Sequence, residues 1–299
     1  MLARARRHAV IEGVTAGVLF GTAAIFVRYA HGIDPFSIAF WRLAIALITL
    51  GTITILFHKT FQIDLVRKNA KKLMILSLFL ALHFVFFTVS LNDTTILNAT
   101  VLVNTVPFFS LFISSFVFNL KPSRFALVGL AISFMGICLI AIGEAIASKP
   151  IAGVSSSLKG DLEAVAAALF LAFYLNYGKE VRSRMNILSL MVPIYAAASL
   201  VVGVIGLASG SSVVSLPLVP GSIVPLIGLG LLPTAIAHTL YFSSLSSLKS
   251  FETATMALLE PVGAAILGMV AFVEIPAPIF ALGAVLVLTG IFFTVKKGS

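Results

Sequence analysis

Charge is scarce in this 299-residue chain: Lys, Arg, Asp and Glu together make up 10% of it, and only 11 residues are acidic. A soluble domain carries roughly a quarter charged residues. A chain this poor in them cannot cover a water-facing surface, which excludes a soluble enzyme and a disordered chain. A single cysteine, Cys138, allows no intramolecular disulfide and no thiolate-rich metal site. The phosphate loop GxxxxGK(S/T) is missing, as are HExxH, CxxC and any paired-carboxylate cluster. ATP-driven work by this chain alone, metal hydrolysis and acid/base catalysis therefore have no visible support. The selectivity-filter sequence of potassium channels is also absent. The sequence points to no resident cofactor or metal and to no enzymatic activity.

Apolar residues, by contrast, are plentiful, at 60% of the chain with a mean hydropathy of +1.12. About 20 mainly apolar residues cross a bilayer as a helix. Ten such stretches can be read: Gly13 to Ala30, Phe36 to Phe57, Leu73 to Leu91, Thr95 to Phe118, Phe125 to Ile146, Gly160 to Tyr177, Ile187 to Ala208, Ser222 to Leu245, Thr253 to Val273 and Ile279 to Val295. Their runs are continuous rather than alternating, which predicts helices and not barrel strands. The fold class expected is an all-α membrane protein with ten transmembrane helices.

The basic residues orient these spans. With the N-terminus in the cytoplasm, sixteen Lys and Arg fall on the inner side and only two, Lys149 and Lys159, on the outer; Arg28 and Arg42 lie in or beside helices. Such a bias predicts a multi-pass protein of the inner membrane with both termini cytoplasmic. It also explains the formal net charge of +9 without nucleic acid as a partner. The basic start Arg4 to Arg7 followed by an apolar run resembles a signal peptide. Removing it, however, would leave nine spans and spoil the charge alternation.

A shift of 154 residues aligns Pro107 with Pro261, Gly129 with Gly283, Gly136 with Gly290, and Ser90-Leu91 with Ser244-Leu245. The chain thus divides into a first repeat, residues 13–146, a linker, 147–159, and a second repeat, 160–295. Each repeat holds an odd number of spans, five, so the two must be inverted relative to one another. Inverted repeats are the architecture of secondary transporters, with the site at mid-membrane between the halves.

These pieces resemble the EamA type of the drug/metabolite transporter superfamily. The residues concerned are Gly21-Thr22-Ala23-Ala24 and Arg28 in the first span, Pro35-Phe36 and Phe40-Trp41-Arg42 in the second, Leu259 to Ala265 with Glu274 in the ninth, and Gly283 with Gly290 in the tenth. The family often closes the fourth span with an acid, as Glu274 closes the ninth here, but this chain has Asn119. The resemblance implies export of small metabolites such as amino acids, or of drug-like compounds.

An ionisable residue inside a membrane helix is costly and a functional candidate. Glu260 lies roughly 10 Å into the ninth span at about 1.5 Å per residue, directly before Pro261. It is a candidate for binding substrate and for exchanging a proton, against the alternative of a carboxyl that only ties helices together. His83, mid-span in the third helix, and Asn104, on a face with Thr100 and Pro107 in the fourth, can bind substrate or pack. Thr234, His238 and Tyr241 form one polar stripe at i, i+4 and i+7 in the eighth. Tyr174 belongs to an aromatic stripe with Phe170 and Tyr177 in the sixth. Arg42 either snorkels to the outer interface beside Trp41 or stays buried to attract a carboxylate.

The reading reached from sequence is a secondary active or facilitative carrier working by alternating access. Its partners would be a small-molecule substrate, membrane lipid and, as candidate coupling ion, protons; its oligomeric state is left open. An intramembrane enzyme acting on a lipid-linked substrate, or a scaffold without flux, are the competing readings.

Overall fold

The computed structural model of the chain describes residues 2–30, 32–57, 61–120, 122–147, 157–213, 221–272 and 278–296. Glu274, Lys149, most of the linker and the side chain of Arg28 lie outside the described residues. The described chain is helical throughout, with no strand, because apolar backbone can satisfy its N–H and C=O groups in hydrocarbon only within its own segment.

The first crossing is α1 (Leu2–Phe20) followed by α2 (Thr22–Tyr29), interrupted at Gly21. The second is α3 (Pro35–Leu56), opened by an Asp34 cap that accepts from the Ser37 N–H at 2.9 Å, with Pro35 at the first helical position. A short α4 (Ile63–Lys68) precedes the third crossing, α5 (Ala70–Asp93). The fourth comprises α6 (Ile96–Val103) and α7 (Val106–Phe116), and the fifth is α8 (Arg124–Ala147). The second half repeats the order: α9 (Leu158–Arg182), α10 (Ile187–Ala208), then α11 (Ile223–Leu229), a π-helical turn (Gly230–His238) and α12 (Thr239–Ser244) as the eighth crossing. The ninth runs through α13 (Ser250–Met256), a 3-10 turn (Ala257–Leu259) and α14 (Glu260–Phe272), and the tenth is α15 (Pro278–Val295).

Among the described residues, nine of these crossings are long and apolar enough to span a membrane. The sixth, α9, has the length but carries Asp161 and Glu163 near one end and Lys179, Glu180 and Arg182 at the other, around an apolar middle. Several helices also start earlier than hydropathy places them. α1 begins at Leu2 rather than Gly13, because a helix does not stop where its hydrocarbon surroundings do.

The fourth and ninth crossings break at matching places. Pro107 and Pro261 cannot donate to the carbonyls of Val103 and Ala257, four residues back in each case. In the fourth, the helix stops at Val103 and restarts at Val106. In the ninth, the Glu260 N–H takes the Ala257 carbonyl in a tighter turn. Asn119 closes the fourth crossing with φ of 54°, a left-handed conformation that Asn tolerates better than most residues. Its place in this chain is a helix stop.

The halves meet where side chains are smallest. α8 lies along α15 with Gly129 against Gly290 and Gly136 against Gly283, so close that a Cβ on Gly129 would sit 2.5 Å from the Gly290 carbonyl oxygen. Gly17 and Gly21 likewise bring the first crossing onto the broken part of the ninth, Gly21 against the backbone of Gly263 and Ala264.

Candidate functional site

Both broken crossings deliver their breaks to one cavity. It is lined from the first half by Phe20, Arg42, His83, Phe84, Phe87, Val103, Asn104 and Pro107, and from the second by Leu171, Pro233, His238, Ala257 and Glu260. Toward the end of the bundle that carries the N-terminus, the space between the halves is filled. Every residue of α13 is buried there, the Tyr241 hydroxyl donates to the Ala254 carbonyl at 3.3 Å, and Ser244 and Thr253 share a hydrogen bond of 2.9 Å.

Arg42 does not snorkel. Its residue is only 3% exposed; the guanidinium lies over the face of Phe84, 4.2 Å from the ring centroid, and Nε donates to the Thr234 hydroxyl at 3.0 Å. The terminal nitrogens Nη1 and Nη2 have no hydrogen-bond partner among the described residues, and neither is sealed away from the cavity. The residue therefore presents a vacant two-pronged donor to the cavity.

Three other polar groups of the wall offer acceptors. His83 bonds the Ala167 carbonyl through Nδ1 at 3.0 Å. A carbonyl can only accept, so Nδ1 carries the proton and a neutral ring keeps a lone pair on Nε2. Asn104 donates one of its two amide protons to the Thr100 carbonyl at 2.8 Å, and its side-chain oxygen is available as an acceptor. Glu260 lines the cavity without a hydrogen bond or an ion pair within 4.0 Å among the described residues. Arg42 and Glu260, a base and an acid, thus share one cavity with no hydrogen bond or ion pair between them among the described residues.

His238 completes the wall beside Phe20 and Phe84, with ring centroids at 4.8 Å and 5.1 Å, and faces His83 at 6.3 Å. Its Nδ1 is buried with no partner among the described residues. The structure thus brings Glu260, His83, Asn104, His238 and Arg42 together on the cavity. It places the other three candidates elsewhere. Thr234 sits behind Arg42. Tyr241 is wholly buried toward the filled end, and Tyr174 turns away to Met191 and Phe242. Of the expected aromatic stripe of the sixth helix, Phe170 and Tyr177 both pack on Phe79, and Tyr174 stands apart from them.

Sequence reasoning passed over Tyr195, which is wholly buried and donates to the Thr234 main-chain carbonyl at 2.8 Å. It also missed the tie at the N-terminal end, where Arg6 grips Glu252 through two bonds of 2.8 and 3.2 Å and the Val295 carbonyl at 2.8 Å. Only the basic residue's position near a helix start hinted at the second. Nothing marked the first.

Comparison with known proteins agrees with this architecture. The model of the EamA-like transporter family matches twice, over residues 8–142 and 158–296. The chain is 23% identical over 290 residues to the uncharacterized transporter YxxF of Bacillus subtilis, covering 97% of this chain and 90% of that protein. It is 26% identical over 289 residues to an uncharacterized transporter of Archaeoglobus fulgidus, covering 94% of each. A solved crystal structure superposes with a TM-score of 0.80 at 16% identity, covering 95% of both chains, a likeness of fold.

Proposed function

We propose, from the premise that the chain belongs to the EamA-like transporter family, that it exports small zwitterionic solutes, amino acids or drug-like compounds of similar polarity, by alternating access. The observation that carries this reading is the inventory of the cavity: the vacant donor fork of Arg42 beside acceptors on His83, Asn104 and Glu260 and the imidazole of His238, in a wall otherwise apolar and aromatic. Opposite charges held apart in a desolvated space are unfavourable unless something bridges them. A solute with a carboxylate for Arg42 and an ammonium for Glu260 and its neighbours satisfies both, and its apolar body meets Phe20, Phe84 and Phe87.

The sixteen-to-two distribution of basic residues supports an inner-membrane orientation with both termini cytoplasmic. The filled end is then the cytoplasmic one, and alternating access requires it to open. Opening it requires the first and ninth crossings to part, and the breaks at Pro107 and Pro261 provide places to bend. A solute that prefers neither state shifts no population, so binding must stabilise the passage between them. Glu260, once it releases an ammonium group, can take a proton and couple the return step to the proton gradient; a facilitator needs only the cavity.

The test is flux. Purified chain in liposomes should exchange labelled leucine or phenylalanine against an internal pool, and empty liposomes should not. Equal exchange in both would overturn the proposal.

A further inference from the structure

Arg42 belongs to the first half of the molecule, but the hydroxyl that accepts its hydrogen bond belongs to the second. We propose that Thr234 and Tyr195 are positioning residues that set the carrier's preference for carboxylate-bearing solutes by aiming the Arg42 fork into the cavity. This rests on the solute-binding role proposed above for Arg42 and adds two residues that need not touch the solute.

The argument starts at Pro233. In a regular helix, residue 233 would donate its N–H to the Leu229 carbonyl, and proline has none. The Thr234 hydroxyl donates to the Leu229 carbonyl at 2.6 Å, five residues back across the widened π-helical turn that contains Pro233. A hydroxyl has one proton, so with it committed to Leu229 only lone pairs remain for other partners. Arg42 Nε donates into one of them at 3.0 Å. A free hydroxyl can rotate to suit either role; this one is fixed as an acceptor.

That bond removes rotation of the guanidinium about its last side-chain bond, and the Phe84 face 4.2 Å beneath it sets the plane. What is left exposed is the edge bearing Nη1 and Nη2, the edge that matches a carboxylate with two parallel hydrogen bonds. Tyr195 completes the support from α10. Its hydroxyl donates to the Thr234 carbonyl at 2.8 Å and pins the turn that a proline has loosened. Thr234 and Tyr195 are fully buried. Each is a polar group withdrawn from lipid and spent on orientation, where an apolar residue would pack as well.

The experiment compares two acids, leucine and phenylalanine, with their amides as competitors for exchange by the full-length chain in liposomes. For the unaltered protein, the acid should be preferred over its amide by about tenfold or more, the usual range for a charge-assisted bond made or lost. Thr234→Val and Tyr195→Phe should each raise half-saturation for the acid and collapse that preference toward unity, while the maximal exchange rate is kept. Thr234→Ser, which retains the hydroxyl, should restore the preference. Arg42→Lys should also lose the preference for the acid, since an ammonium keeps the charge without the fork. If Thr234→Val instead lowers the maximal rate for acid and amide alike and leaves their ratio intact, the two residues are only structural and the inference falls, with transport itself still standing. If the unaltered chain carries neither acid, the proposed function fails first and this inference with it.

Discussion

The Ser133 hydroxyl donates to the main-chain carbonyl of Val287 at 3.3 Å, and the two residues are 154 positions apart, the length of the repeat. Each therefore touches its own counterpart. On either side of them Gly129 meets Gly290 and Gly136 meets Gly283, the crossed pairing that an antiparallel two-fold relation requires. The pseudo-symmetry axis of the two halves passes through this contact, between α8 and α15, in the plane of the membrane.

Bulk at that axis should be poorly tolerated. A Cβ on Gly129 meets backbone of Gly290 and Thr294 at 2.5 Å, and one on Gly136 meets the Gly283 carbonyl at 2.6 Å. Gly129→Ala or Gly136→Ala should destabilise the fold by about 1–3 kcal/mol, because backbone must move. Gly51→Ala, where nothing lies within 4 Å, is the matched control and should be neutral or slightly stabilising. Thermal melting of the detergent-solubilised protein separates the two cases.

Pro233→Ala should uncouple stability from transport. The alanine N–H can take the Leu229 carbonyl and regularise the helix, raising the melting temperature. Narrowing the turn shifts Thr234 relative to Leu229 and Arg42, so the hydroxyl no longer sits where it accepts from Arg42 Nε. Exchange of amino acids should weaken although the protein is more stable. A variant that melts higher and exchanges normally would show that the widened turn has no part in binding.

Two ion pairs at the N-terminal end of the bundle should behave differently. Arg6 and Glu252 are 2.8 Å apart with side chains 20% and 8% exposed, so Arg6→Ala strands a buried carboxylate and should lose about 2–4 kcal/mol. Lys72 and Glu180, at 3.0 Å, are both about half exposed, and Lys72→Ala should change stability by no more than about 0.5 kcal/mol. The Lys72 hydrogen bond is the first cause holding the Glu180 carboxyl below its ordinary value. A depressed value in the folded state means that the pair's small contribution is present at neutral pH and disappears as pH falls through the acid range. Melting curves of both variants at neutral and acid pH check the order and the sign.

Glu260→Gln removes the charge facing Arg42 while keeping the shape. Exchange of amino acids should fall, and whatever dependence on pH the unaltered carrier shows across the neutral range should flatten. If both rate and pH profile are retained, Glu260 plays no part in solute binding or in proton movement.

Much of the architecture was legible before any coordinates. The spans follow from hydropathy and the repeat from Pro107 and Pro261, whereas Pro193 lies inside an unbroken helix and shows that a proline alone does not fix a break. Five of the eight candidate residues reach the cavity because polar groups inside hydrocarbon have few places to go. Thr234, Tyr241 and Tyr174 were harder to place, since a polar stripe on one helix can face a cavity or a neighbouring helix with equal ease. Periodicity identifies the face but not its occupant.

The amino-acid sequence by itself determined that this is a membrane protein of two inverted halves. Those properties depend on local composition and on the period of the repeat. Only the tertiary structure decided that Arg42 points inward. Its aim depends on Thr234, 192 residues away in the chain, and on Phe84 beneath it. No local pattern encodes a contact over that separation, so the chemistry of the cavity emerged only once the halves were packed.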